Sequence, residues 1–182
     1  GFREVSREAR LVLDLTTLDP PAVAPPEGIE IAPWAERPGI ERGLYRVYCE
    51  AEPDIPGGDD NERPPLEEWL ADDMEVASDR AEAVFVGFAG DEGVGYAKLS
   101  IPPEGVDIAY HDLAGVLRAW RGRGIAGALK RTQIAWAKRH GFRRLVTANE
   151  ERNVPIRRLN ERHGYVLEPG RIVLHTMLDA SE

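Results

Sequence analysis

Arg118, Arg121 and Arg123 bracket two glycines, Gly122 and Gly124, just ahead of an apolar-periodic run that begins at Ile125. Glycines at such positions let the backbone turn tightly and approach a ligand closely. The first amides of a helix lack intrahelical acceptors and carry the positive end of its dipole. With three guanidiniums around it, such a terminus is a site for phosphate.

The kind of phosphate ligand can be narrowed. A nucleoside-triphosphate loop needs Lys-Ser/Thr after its glycines, and none follows here. Gly122, Gly124 and Gly127 do read G-x-G-x-x-G, but the preceding strand follows a hairpin instead of opening a dinucleotide-binding βαβ unit. A nucleotide-binding domain of another type stays open on the residues alone. The pattern Arg121-Gly-Arg-Gly-Ile-Ala126 is followed by Thr147-Ala-Asn149 closing a strand, Asn153-Val-Pro-Ile156 opening a helix and His163-Gly-Tyr165 ending it. Together these resemble the GNAT superfamily of N-acetyltransferases, whose Arg/Gln-x-x-Gly-x-Gly/Ala signature lies between the fourth strand and the third helix. The resemblance covers residues 83–178 by motif and residues 27–82 by order of elements.

The resemblance implies an α/β fold, a strongly twisted mixed sheet flanked by helices, and acetyl-CoA as cosubstrate with no metal. Backbone amides from Gly122 through Arg123, Gly124 and Ile125 to Ala126 would hold the pyrophosphate, and Val116, Leu117 and Arg118 would pair with the pantetheine arm like an added strand. Asn149, Asn153 and Asn160 would contact the cofactor. Asn153 is also explained as a helix N-cap, and Asn149 as the end of a strand. Asn160 stands where many members carry the tyrosine that protonates the leaving thiolate, a role an amide cannot take. Tyr165 occupies the terminal aromatic place and is expected to pack. Counting back along the strand from Val116 makes Asp112 the first candidate base and His111 the second, on opposite faces if the strand is regular. The implied reaction is transfer of acetyl to a primary amine of a small molecule by direct attack. The alternative is a non-catalytic acyl-CoA-binding module of a tandem protein. Trp34, Tyr45, Tyr48 and Asp54 are expected to form the acceptor site, with Asp59, Asp60 and Glu62 adding negative potential for a cationic amine.

The elements that must position these residues are legible. Strands are expected at Arg10–Leu15, Ile29–Ala32, Ala83–Phe88, Val94–Ile101, Asp107–Leu117, Arg144–Ala148 and Arg171–Leu178. Helices are expected at Arg37–Ala51, Leu66–Met74, Ile125–His140 and Asn153–His163. In the third of these, Ile125, Leu129, Thr132 and Trp136 share a face, and Lys130, Arg131, Lys138 and Arg139 are placed outside it. Asp19–Pro26 is a proline-stiffened linker, which divides residues 1–26 from a domain of residues 27–182. Gly1-Phe2 and Arg10–Leu15 echo Gly164-Tyr165 and Arg171–Thr176, which reads as the last strand of a preceding copy or as coincidence between two amphipathic strands.

The 182 residues suffice for one core without staples, and the single cysteine, Cys49, excludes an internal disulfide and a multi-thiolate zinc site. Acidic residues interrupt the first fifteen positions and no apolar run approaches the ~20 residues of a membrane span, so a cytoplasmic location is expected. With Gly1 in place of Met, a processed or cut chain is expected. The net charge of −9 divides into −16 over residues 1–110 and +7 over 111–182. That balance argues against nucleic acid as partner, and places an anion site in the basic part and an amine site in the acidic part. A dimer or a tandem-domain pairing is left open.

Overall fold

A computed structural model describes residues 3–55, 63–102 and 106–175. One seven-stranded sheet runs through it, in the order β2-β3-β4-β5-β6-β1-β7. The strands are β1 (Arg3–Asp14), β2 (Glu30–Pro33), β3 (Asp79–Ala89), β4 (Glu92–Ser100), β5 (Ile108–Val116), β6 (Arg144–Glu150) and β7 (Val166–His175). The α-helices are α1 (Glu41–Ala51), α2 (Leu66–Trp69, running on as a π turn through Leu70–Met74), α3 (Ile125–Arg139) and α4 (Val154–Arg162). β5 and β6 are parallel; the other pairs are antiparallel. This is the expected mixed α/β architecture, with the elements in the expected order. Gly1 and Phe2 of the sequence echo, the acidic positions Asp59, Asp60 and Glu62, and the end of the last expected strand lie outside the described residues.

The fully buried rows Ala83–Phe88 and Val94–Leu99 place β3 and β4 at the heart of the core. Helices cover both faces. α1 packs on β5 where Gly115 leaves room: a Cβ there would stand 2.6 Å from the Cβ of Ala51. On the other face Ile125 of α3 rests over Gly87, with 3.2 Å to a Cβ added at that glycine.

Two departures from the sequence reading shape the site. β1 is an interior strand, because Leu11 pairs with Thr147 of β6 on one side and Leu167 of β7 on the other. Leu11, Leu13 and Leu15 are buried in the common core. A strand's neighbours are chosen by long-range pairing, which a local hydrophobic pattern does not record. The second departure is a bulge in β5. Its register against β4 steps from Ala97↔Ala114 to Leu99↔His111, an extra residue on the β5 side. The amide of Leu113 turns to its neighbour Asp112 Oδ1, 2.8 Å away. β5 pairs with β6 only over Ile108–Tyr110, and beyond Tyr110 the two strands part.

Candidate active site

The parting strands enclose a cavity of about 650 Å³ between β5 and β6, closed by α3, α4 and the segment after α1. Its wall includes Val116, Arg121 and Ala126 at one end, Asn149, Asn153 and Ile156 along one side, and His111, Asp112 and Lys130 further in.

The glycine turn opens onto this cavity. Gly122 and Gly124 have φ of +75° and +84°, and open space surrounds a Cβ built at Gly122. α3 begins without a side-chain cap, and its first inward bond is Ala128 N–H to Gly124 O at 3.1 Å. The amides ahead of that bond are the unpaired donors of a helix start. A pyrophosphate with its anionic oxygens fits this donor set. The arginines around it are partly engaged. Arg121 donates from Nε to Val116 O (2.9 Å) and from Nη1 to Asp54 Oδ2 (2.5 Å), and Arg118 Nη2 reaches Asp54 Oδ1 (3.2 Å). Arg121 holds the Asp54 carboxyl below its ordinary value. Asp54, expected at the acceptor, is thus paired with the cradle's own arginines. The Arg118 amide donates to Glu50 Oε2 (2.8 Å), and that of Leu117 to Val94 O (2.9 Å). Arg123 lies over Trp120, 4.5 Å from guanidinium to ring centroid.

Asn153 caps α4, its side chain accepting from Ile156 N–H at 3.5 Å, and it also lines the cavity. Asn149 lines the cavity too and accepts from Asn160 Nδ2 at 2.9 Å. Asn160 is fully buried behind Asn149, and its Oδ1 has no partner among the described residues.

His111 and Asp112 part to opposite sides of β5. Asp112 Oδ2 pairs with Lys98 Nζ at 2.9 Å, and its side chain stays 41% exposed. Lys98, 1% exposed, also meets Asp79 Oδ2 (2.8 Å) and Asp73 Oδ1 (3.2 Å). Burial by itself would lower its pKa, but Asp112, Asp79 and Asp73 overcome that and hold it above the ordinary lysine range. On the other side, Gln133 Nε2 donates to Lys98 O (3.0 Å), which turns its Oε1 toward His111 Nδ1 (3.1 Å). Nδ1 therefore carries the ring proton, and Nε2 accepts from the Tyr165 hydroxyl. Burial, then the nearby Lys130 charge, push the His111 pKa well down, and burial pushes that of Tyr165 well up. Tyr165 packs in the core at 4% exposure.

Three of the expected acceptor residues lie elsewhere than on the cavity wall. Trp34 is buried in the core, and Tyr45 and Tyr48 stack on each other and pack tilted against Trp69. The phenol of Tyr45 donates to Pro64 O at 2.6 Å.

Sequence reasoning passed over Lys98 and set Lys130 outside the apolar face; the structure buries Lys130 to 3% exposure. A signal was present. Lys130, Gln133 and Ala137 follow each other at helical spacing, and the small Ala137 on that line marks a second packed face.

A model of the acetyltransferase (GNAT) family matches residues 39–165. No curated protein matches the chain. Among solved structures, a GCN5-related N-acetyltransferase from Sphaerobacter thermophilus aligns with a TM-score of 0.75 at 27% identity, over 96% of this chain and 52% of that one. A tandem GNAT protein from the clavulanic acid biosynthesis pathway, solved without acetyl-CoA, aligns at 0.65 with 22% identity, over 94% of this chain and 53% of that one. A GCN5-related N-acetyltransferase from Kribbella flavida gives 0.57 and 18%, over 96% and 59%. The chain spans between half and three fifths of the length of these structures. No helix of the described residues is long and apolar enough to cross a membrane, and no group of His, Cys, Asp or Glu among them is arranged to hold a metal.

Proposed function

This chain belongs to the GNAT acetyltransferase family, and from that premise we propose that it transfers an acetyl group from acetyl-CoA to a primary amine of a small molecule by direct attack. The observation that carries the reading is the uncapped start of α3, set behind two left-handed glycines and opening on the cavity between β5 and β6. Acetyl-CoA supplies the activated acetyl thioester. The chain's own residues do the rest. Gly122 to Ala126 offer amides to the pyrophosphate. Asn149 and Asn153 present polar side chains along the cavity. The bulge in β5 keeps the strands apart so that an extended arm can lie between them.

Asp112 is the candidate group for the acceptor. Lys98 and the Leu113 amide fix its carboxylate on the cavity wall, where an anion attracts an ammonium and passes its proton to water. A protein held in the cytoplasm, with no nucleic-acid or membrane partner, suits this chemistry. A tandem pairing has support in the neighbour described as a tandem GNAT protein and in the chain's partial cover of the solved structures. Residues 1–26 would then be the seam to the preceding copy.

The competing reading, an acyl-CoA-binding module without turnover, draws on Asn160 in the tyrosine place and buried behind Asn149. Calorimetry with acetyl-CoA, followed by thiol release across a panel of amines of graded charge, separates the two. Binding with turnover on cationic amines is expected. Binding with no release on any amine would favour the module, and no binding would remove both.

A further inference from the structure

His111 lies five residues along β5 from Val116. Lys130 stands five residues into α3, about 7.5 Å along the helix from its start, and lines the same cavity with its charge acting on His111. A ligand held by its phosphates at the glycine turn presents its other end here. We propose that Lys130 gives the departing thiolate its proton, an assignment that rests on the acetyl-transfer reading above.

The ionisable groups of the cavity wall single it out. Arg121 and Asp54 are tied to each other near the cradle. Asp112 is held by Lys98, and Glu150 by Arg152 at 2.7 Å. Glu8 is a carboxylate with an interaction of its own. His111 spends its ring proton on Gln133 and its second nitrogen on the Tyr165 hydroxyl. Lys130 differs from all of these. It pairs with no carboxylate among the described residues, and its Nζ stands 5.2 Å from the centroid of the Tyr165 ring. Burial alone lowers its pKa to about 7, so the ammonium yields a proton readily at neutral pH. The groups that face it are His111 of β5 and Tyr165 ahead of β7, while Glu8 and Glu150 line the same cavity.

The step balances. The amine nitrogen bonds to the acetyl carbon, the carbon–sulfur bond breaks with its electron pair going to sulfur, and an Nζ proton moves to that sulfur. The surplus proton on the new amide nitrogen then passes to the neutral Nζ, directly or through water, which restores the starting state.

The test uses CoA itself as probe. Its thiol is titrated by ultraviolet absorption when bound to the parent, to Lys130→Met and to Lys130→Gln. Because Lys130 and the thiol would titrate as a pair sharing one proton, part of the bound thiol should ionise about 1–3 pH units lower in the parent than in either variant. With an acceptor found in the amine panel, kcat should fall about 100-fold in both variants, with KM for acetyl-CoA little changed and the descending alkaline limb of kcat lost. Two side chains of similar length guard against one that misfolds. CoA binding with the same thiol ionisation in all three proteins overturns the proposal and leaves acetyl transfer standing. Failure of the parent to bind CoA by calorimetry overturns the acetyl-transfer reading and the proposal with it.

Discussion

Lys98 and Lys130 are both nearly sealed from solvent, at 1% and 3% exposure, yet the fold treats them oppositely. Lys98 meets Asp73, Asp79 and Asp112 and is held charged. Lys130 has an aromatic face and, among the described residues, no carboxylate, and burial brings it to the edge of neutrality. The same side chain thus serves as a fixed counter-ion on one side of β5 and as a titratable group on the other. What differs is the partners each element brings. The cradle arginines form a third case, since Arg118 and Arg121 pair with Asp54 where water still reaches all three.

Removing Lys98 should have the largest effect. Lys98→Met leaves Asp79, itself 1% exposed, without its cation, and breaking a buried pair in this way costs about 3–5 kcal/mol. Urea unfolding would measure it, and adding Asp79→Asn should recover part of the loss. An unchanged midpoint in the single variant would break the contrast between the two lysines.

Lys130→Met should act in the other direction, by a few kcal/mol at most. The folded pKa of Lys130 is about 7, below that of the unfolded chain. Between the two values the unfolded state holds more protons, so parent stability climbs with pH. The variant lacks that climb. Its advantage over the parent should be full below neutral pH and shrink toward pH about 10, as read from unfolding midpoints across that range. An advantage independent of pH would place Lys130 with ordinary lysines.

Gly124→Ala addresses the cradle. Its φ is +84°, and the nearest atom to an added Cβ is Pro26 Cγ at 3.7 Å, so the penalty is in the backbone and not in packing. A non-glycine residue there costs about 1–2 kcal/mol, and acetyl-CoA affinity should fall with it in calorimetry. The smallest change is expected from Asp54→Asn. Its ion pairs are exposed and screened, so stability should scarcely move. Affinity for acetyl-CoA should rise a few-fold, with a steeper salt dependence as the two arginines are released. A loss of affinity would mean that Asp54 positions the arginines for the ligand instead of competing with it.

The cradle was readable in the sequence because its chemistry belongs to the backbone. Two glycines that must take positive φ, a helix starting at Ile125 and basic residues around the turn lie within a few positions of each other. Local residue types decide such a structure with little help from the rest of the chain. The order of elements and the apolar faces of β3, β4 and α3 were legible for the same reason. The tertiary structure alone decided that β1 lies between β6 and β7, that β5 bulges at Asp112, that Asp54 turns to the cradle, and that one lysine meets three carboxylates while the other meets none among the described residues. These are pairings across long stretches of sequence. The charge a side chain keeps depends on the water it loses and the partners it gains, and both are set only when the elements pack.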